Sequence, residues 1–248
     1  MQLVSILRLS TELRSLSLKF LLRDRQRVPK DFPEIYLARL RRLTITLCPH
    51  GLANSLIRGA PNLLELAAST RHEYDLFDIG AAEIYISPRV KSLRLQILEP
   101  LHVDRPAGLL PAGGGPPLSP IEALSSFLAF FPSLTNLELW WQFPVNLTQE
   151  QRHDSLQSLD HLTLLQSIPS TVEQLALRGD LCEAAAFLVH FLDPSKTSIK
   201  KLPRMRILGV IDAAETRVTQ GRNKLLAEAC EVRGIRVEYG NKALWNTY

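Results

Sequence analysis

The feature that most constrains this chain is a leucine phrase, L-x-x-L-x-L, that returns seven times. It stands on Leu13, Leu16 and Leu18, then on Leu40, Leu43 and Ile45, and next on Leu63, Leu66 and Ala68. Val90, Leu93 and Leu95 follow, then Leu134, Leu137 and Leu139, then Val172, Leu175 and Leu177, and finally Met205, Leu208 and Val210. Successive copies begin 27, 23, 27, 44, 38 and 33 residues apart. Within each copy the last two apolar positions are two residues apart, the period of a strand with one buried face. A unit of this size cannot bury that face alone, so recurrence implies stacked neighbours sharing one core.

The segments between the phrases read as helices. Ser5-Ile6-Leu7-Arg8, Ser55-Leu56-Ile57-Arg58 and Ser126-Phe127-Leu128-Ala129 stand at the same distance before their phrases. Pro61 and Pro132 separate the last two from the strand, and the residue before a proline is pushed out of the helical region. Each unit therefore reads as helix, break, strand. Ser119-Pro120-Ile121-Glu122 is a capping box with proline in the first helical turn, followed at helical spacing by Leu124, Phe127, Leu128 and Phe131. Asp180 with Glu183, and Thr148 with Gln151, open two further segments. A last helix runs from about Thr219 to Arg233 with Leu225, Ala229 and Val232 on one side, stopped by Gly234. Ile235, Val237 and Tyr239 alternate as a closing eighth strand.

One stretch breaks the pattern. Residues 99–120 hold six prolines and four glycines, which suit neither a strand ladder nor a helix interior. The expectation is a flexible Pro/Gly-rich surface loop, with a proline-rich ligand for a partner domain as the alternative.

Composition narrows the class. A chain of 248 residues that is 46% hydrophobic and 22% charged is built like an ordinary globular domain with a substantial core. The net charge of +4 gives little reason to expect a nucleic-acid partner. The charge is uneven, however. Residues 1–60 hold 11 of the 29 basic residues and 4 of the 25 acidic ones, so they carry +7 and the remainder −3. That is either a solvated basic face or a docking surface for an acidic partner. Cys48, Cys182 and Cys230 are odd in number and widely separated, which points to core thiols in a reducing compartment. No apolar run reaches the roughly 18 residues of a membrane span. The first residues also lack a basic leader and a cleavage site. The chain reads as a single intracellular domain, cytoplasmic or nuclear, over residues 1–248.

No catalytic signature stands out. G-x-S-x-G, phosphate-loop and dinucleotide patterns are absent. The six histidines include no pair at ligand spacing. His153-Asp154-Ser155 reads as an exposed helix turn. Arg23, Arg25 and Arg27 read as solvated charges. The expectation is a protein that is not an enzyme and needs no cofactor or metal.

The phrases LRSLSL, LRRLTI and NLLELAAS, set between irregular helices, resemble a degenerate leucine-rich-repeat region of the ribonuclease-inhibitor-like kind. Within that group, the helix-PxL-xxL-xL phrasing and the ending CEVRGIRVEYG are similar to the repeats of fungal-type F-box proteins. The likeness covers nearly all of the chain outside residues 99–120. It implies an α/β solenoid with a curved parallel sheet of seven to eight strands and helices on the convex side. F-box proteins carry an adaptor-docking segment ahead of the repeats, and this sequence shows none: Met1 falls within or just before the first repeat's helix.

In such a fold the non-leucine strand positions line the concave face, the usual binding surface. The residues that would meet a partner there are Lys19, Arg42, Arg94, Glu138, Trp140 and Arg178. Trp141 shares the inward parity of Leu137 and Leu139 and should be core, whereas Trp140 should stand on the concave face beside Arg94 and Arg178, either open or covered by the 99–120 loop. The seventh phrase would put Ile207 and Ile211 on the open face, so either the C-terminal segment covers it or the register there slips by one. Three functions follow. The first is a protein-interaction scaffold, as the substrate-recognition repeats of an F-box-type ubiquitin ligase receptor, with the ligase adaptor as a further partner if an F-box precedes them. The second is a regulator of a GTPase or other enzyme. The third is a truncated piece with no independent role.

Overall fold

The computed structural model describes residues 7, 10, 12–19, 36–47, 52–70, 87–97, 120–141, 161–179, 202–211 and 217–239. They form one eight-stranded sheet: β1 (Ser15–Lys19), β2 (Arg42–Thr46), β3 (Glu65–Thr70), β4 (Ser92–Ile97), β5 (Asn136–Trp141), β6 (Gln174–Gly179), β7 (Ile207–Ile211) and β8 (Arg236–Tyr239). Spatial order equals chain order, and every neighbouring pair is parallel. All seven phrases become strands, and the expected eighth strand is present.

Four helices are described: α1 (Leu52–Arg58), α2 (Pro120–Leu128), α3 (His161–Ser167) and α4 (Arg217–Glu231). Parallel neighbours need a crossover connection, and such crossovers are right-handed. Because the strand order never reverses, helices in connections of one hand belong on the same face, and the four described helices share one. Accordingly, one apolar cluster joins the inward strand residues to Leu56 of α1, Phe127 of α2, Leu164 of α3 and Leu226 of α4. The seven-residue helices α1 and α3 are too short to stand alone. Their packing into this cluster holds them, with α2 and α3 also against each other. Phe127 makes edge-on contacts with Phe130 and Phe131 at 5.9 and 5.0 Å between ring centroids, a favoured aromatic geometry.

The repeat is visible in the hydrogen bonds. Before each of the first seven strands the amide of the first apolar residue of the phrase donates to the carbonyl three residues earlier, from Leu13 to Ser10, Leu63 to Ala60 and Leu134 to Phe131, at 3.1–3.2 Å in these examples. Four of the seven turns carry proline at the second position: Pro61, Pro88, Pro132 and Pro203. That is where a fixed φ suits the turn. Just after each of the first six turns one carbonyl accepts from two successive amides of the next unit. Lys91, for example, accepts from Thr135 and Asn136, both at 2.9 Å. After the seventh, Arg206 accepts from Arg236. This ladder keeps all the phrases in one register however long the connection between them.

Two expectations meet corrections or limits here. In α4 the side turned inward carries Leu226 and Cys230, both fully buried, whereas Leu225 and Val232 are 63% and 80% exposed. The helix is rotated by about one residue, roughly 100°, from the side that Leu225 and Val232 define. Its end is as expected. Gly234 has φ +67°, its amide donates to Glu231 at 2.9 Å, and the Ile235 amide reaches back to Cys230 at 2.9 Å. This is a Schellman cap, with the left-handed residue that glycine adopts without strain. The helix α3 was not read from the sequence. The segments proposed to start at Thr148 and Asp180 and the body of the Pro/Gly-rich stretch lie outside the described residues, except that Pro120 opens α2.

Candidate functional site

Strand alternation divides the sheet into two faces. The inward face is Leu43, Ile45, Leu93, Leu95, Leu137, Leu139, Leu175, Leu177, Leu208 and Val210, all at most 2% exposed. Trp141 belongs there at 1% exposure, as its parity requires, and its indole Nε1 is buried without a hydrogen-bond partner. The other face carries the polar positions. In the seventh unit the register does not slip: Leu208 and Val210 are inward, and Ile207 lies on the polar face between Gln174 and Arg236.

The register brings four of the six sequence-derived candidates together. Arg94 stands beside Glu138 across β4 and β5, and Trp140 beside Arg178 across β5 and β6. Glu138 is buried, at 2% exposure. Its Oε2 accepts from Arg94 Nε at 2.9 Å, and its Oε1 lies 2.5 Å from Arg178 Nε. The second contact is an ion pair rather than an aligned hydrogen bond, since Arg178 Nε has no acceptor in good geometry. One carboxylate thus holds two guanidiniums from strands on either side of it. The Arg178 guanidinium carbon lies 5.9 Å from the centre of the Trp140 ring, within cation–π range. Trp140 itself is partly exposed.

The ring is held from below by backbone. Gly179 ends β6 with φ +63°. A Cβ there would stand 2.4 Å from the Trp141 carbonyl oxygen and 3.2 Å from Cδ1 and Nε1 of Trp140. Only glycine has both the left-handed freedom and the absent side chain this position needs. Beside Glu138 in the same row are Ala176 and Gly209, both buried, so small residues leave the arginines room to lie along the sheet.

The remaining two candidates stand apart. Arg42 pairs with Glu65 at 3.2 Å, both about half exposed. Lys19 is exposed at the end of β1, three strands from Arg94, or about 14 Å at the usual strand spacing. The burial of Glu138 is what residue-by-residue reading missed. Its parity marks it as outward, and its arginines are 44 and 40 residues away in sequence. Aligning the phrase copies side by side is the signal that would have found it, because Arg94 and Glu138 occupy the same position of successive copies.

Elsewhere chemistry is sparse. Among the described residues no group of three His, Cys, Asp or Glu side chains could hold a metal, and no helix is long and apolar enough to cross a membrane. Cys230 is buried, and desolvation raises its thiol pKa to about 11, away from reactivity. An open groove of about 300 Å³ lies where α2 and α3 end, lined by residues such as Pro132, Ser167 and Thr171, with no charged side chain. Open α/β sheets bind ligands at the strand ends where the order reverses, and this order does not reverse. Comparison with protein-family models, with curated proteins and with solved structures finds no match for the chain.

Proposed function

We propose that this chain is a protein-interaction scaffold of the leucine-rich-repeat kind, a solenoid whose concave surface is the polar face of the sheet. The observation that carries the reading is the assembly of Arg94, Glu138, Trp140 and Arg178 from three strands onto that face. Arginine and tryptophan are the residues most enriched among binding anchors, and here they are pre-arranged by ion pairs rather than left to order on binding. The regular register and turn ladder support the repeat architecture. The likeness of the phrases to fungal-type F-box repeats supports a receptor role, in which this face selects the protein to be modified.

The test is capture followed by reconstitution. Proteins recovered on the immobilised chain are purified and titrated against wild type, Trp140→Ala and Arg178→Ala. A partner whose affinity falls at least tenfold with either change, and not with Lys19→Ala, supports the reading. Partners that bind every variant equally, or protect no amide of β4–β6 from hydrogen exchange, reject it.

A further inference from the structure

Among the described residues, the polar face carries unmatched positive charge at two places, on the exposed Lys19 at the edge strand β1 and at the centre of the sheet. Among the described residues, Arg42 is matched by Glu65 and Arg236 by Glu238, one to one. At the centre, two guanidiniums share the single carboxylate of Glu138. Both oxygens of that carboxylate are engaged, one by each arginine. What this cluster offers outward is therefore donors. A guanidinium has five N–H groups and no acceptor, and each arginine brings its Nε to Glu138. The indole N–H of Trp140 adds another donor. The neighbouring outward positions, Ser92 and Gln96 on β4, Asn136 on β5, Gln174 and Ala176 on β6 and Gly209 on β7, bring no second carboxylate. With Arg94 one-third exposed and Arg178 15% exposed, the excess charge is held where water screens it poorly.

We infer that the partner of this face presents an acidic segment, seating one carboxylate between Arg94 and Arg178 with its neighbouring side chain on the Trp140 ring. This rests on the interaction reading above and adds the chemistry of the occupant. A carboxylate fits for two reasons. Its single charge equals the excess of the cluster, and its two oxygens accept from a guanidinium in the paired geometry arginine favours. A phosphate dianion would bring more charge than the cluster leaves unbalanced, against a carboxylate already buried there.

The probe is a capped pentapeptide, acetyl-Gly-Glu-Phe-Glu-Gly-amide, with its Gln-for-Glu counterpart, inorganic phosphate and a single-stranded oligonucleotide as comparison arms. Binding to the full chain is followed by the Trp140 indole N–H resonance, assigned with Trp140→Phe, and by the two arginine Nε–H resonances. The expected result is saturable shifts of these signals with the acidic peptide. Affinity should be at least tenfold weaker for the glutamine peptide, for Arg94→Gln and for Arg178→Gln, with Arg94→Lys a milder variant if the glutamine change unfolds the chain. Equal binding of the two peptides, tighter binding of phosphate or oligonucleotide, or no shift at all would overturn the inference. A captured partner that docks on β4–β6 through a segment without acidic residues would also overturn it, and would leave the interaction reading standing.

Discussion

Strands β1 and β5 carry the same phrase and end differently. In β5 Leu137, Leu139 and Trp141 are almost wholly buried. In β1 Leu16 and Leu18 are only partly buried, with Ser15, Ser17 and Lys19 exposed. On the polar face the contrast repeats. The ion pairs of β5 are buried or half-buried, whereas Arg42 and Glu65, near the other end, are open to water. The phrase decides which way a side chain points. How deeply it is buried depends on having a strand on both sides, and among the described strands β1 has one neighbour where β5 has two.

The largest difference expected between the two ends concerns charge. Glu138→Ala leaves two guanidiniums without their buried partner and should cost about 3–5 kcal/mol, the range for breaking a buried pair. Arg42→Ala, at the exposed pair, should cost under about 1 kcal/mol. Urea unfolding of both variants checks this, and equal costs would remove the contrast. The core gives the second comparison. Leu139→Ala should lose about 2–5 kcal/mol, and Leu16→Ala roughly 1 kcal/mol, in proportion to its smaller burial.

Two glycines sharpen the point at the level of the backbone. Both have positive φ, which costs a substituted residue roughly 1–2 kcal/mol. An alanine Cβ at Gly179 also strikes the Trp141 carbonyl, whereas at Gly234 it meets open space. Gly179→Ala should therefore lower the melting temperature more than Gly234→Ala, and should also move the Trp140 fluorescence.

A smaller effect comes from Cys230. Its thiol holds its proton to about pH 11 in the folded chain against 9.0 for an ordinary thiol. Between those values the unfolded state binds fewer protons, so stability should fall as pH rises through the window 9–11. The urea midpoint of wild type relative to Cys230→Ala, followed across that range, isolates this contribution. The smallest effect is expected at Leu225→Ser and Val232→Ser, within about 0.5 kcal/mol as for other exposed positions. A larger loss would mean that these residues are covered.

Much of the fold was legible because a strand has only two faces and a seven-fold repeat over-determines which is which. Every inward position from Leu43 to Val210 followed from parity alone. The last helix was misread for the matching reason. A 3.6-residue period leaves two adjacent stripes of similar apolar content, Leu225–Ala229–Val232 and Leu226–Ala229–Cys230, and only packing chooses between them. Of the candidate site, the residue types and the face were legible, but their grouping was not. Lys19 and Arg42 satisfy the same rule as Arg94 and Arg178 and lie elsewhere on the sheet.

The sequence by itself determined the seven phrase strands, their facing and the opposite facing of Trp140 and Trp141, because these are local consequences of alternation. Only the tertiary structure decided that Glu138 is buried, that two arginines share it and that Trp140 rests over Gly179. Those contacts join strands 38–44 residues apart in the chain, and it is the parallel register, held by the turn ladder, that makes them neighbours.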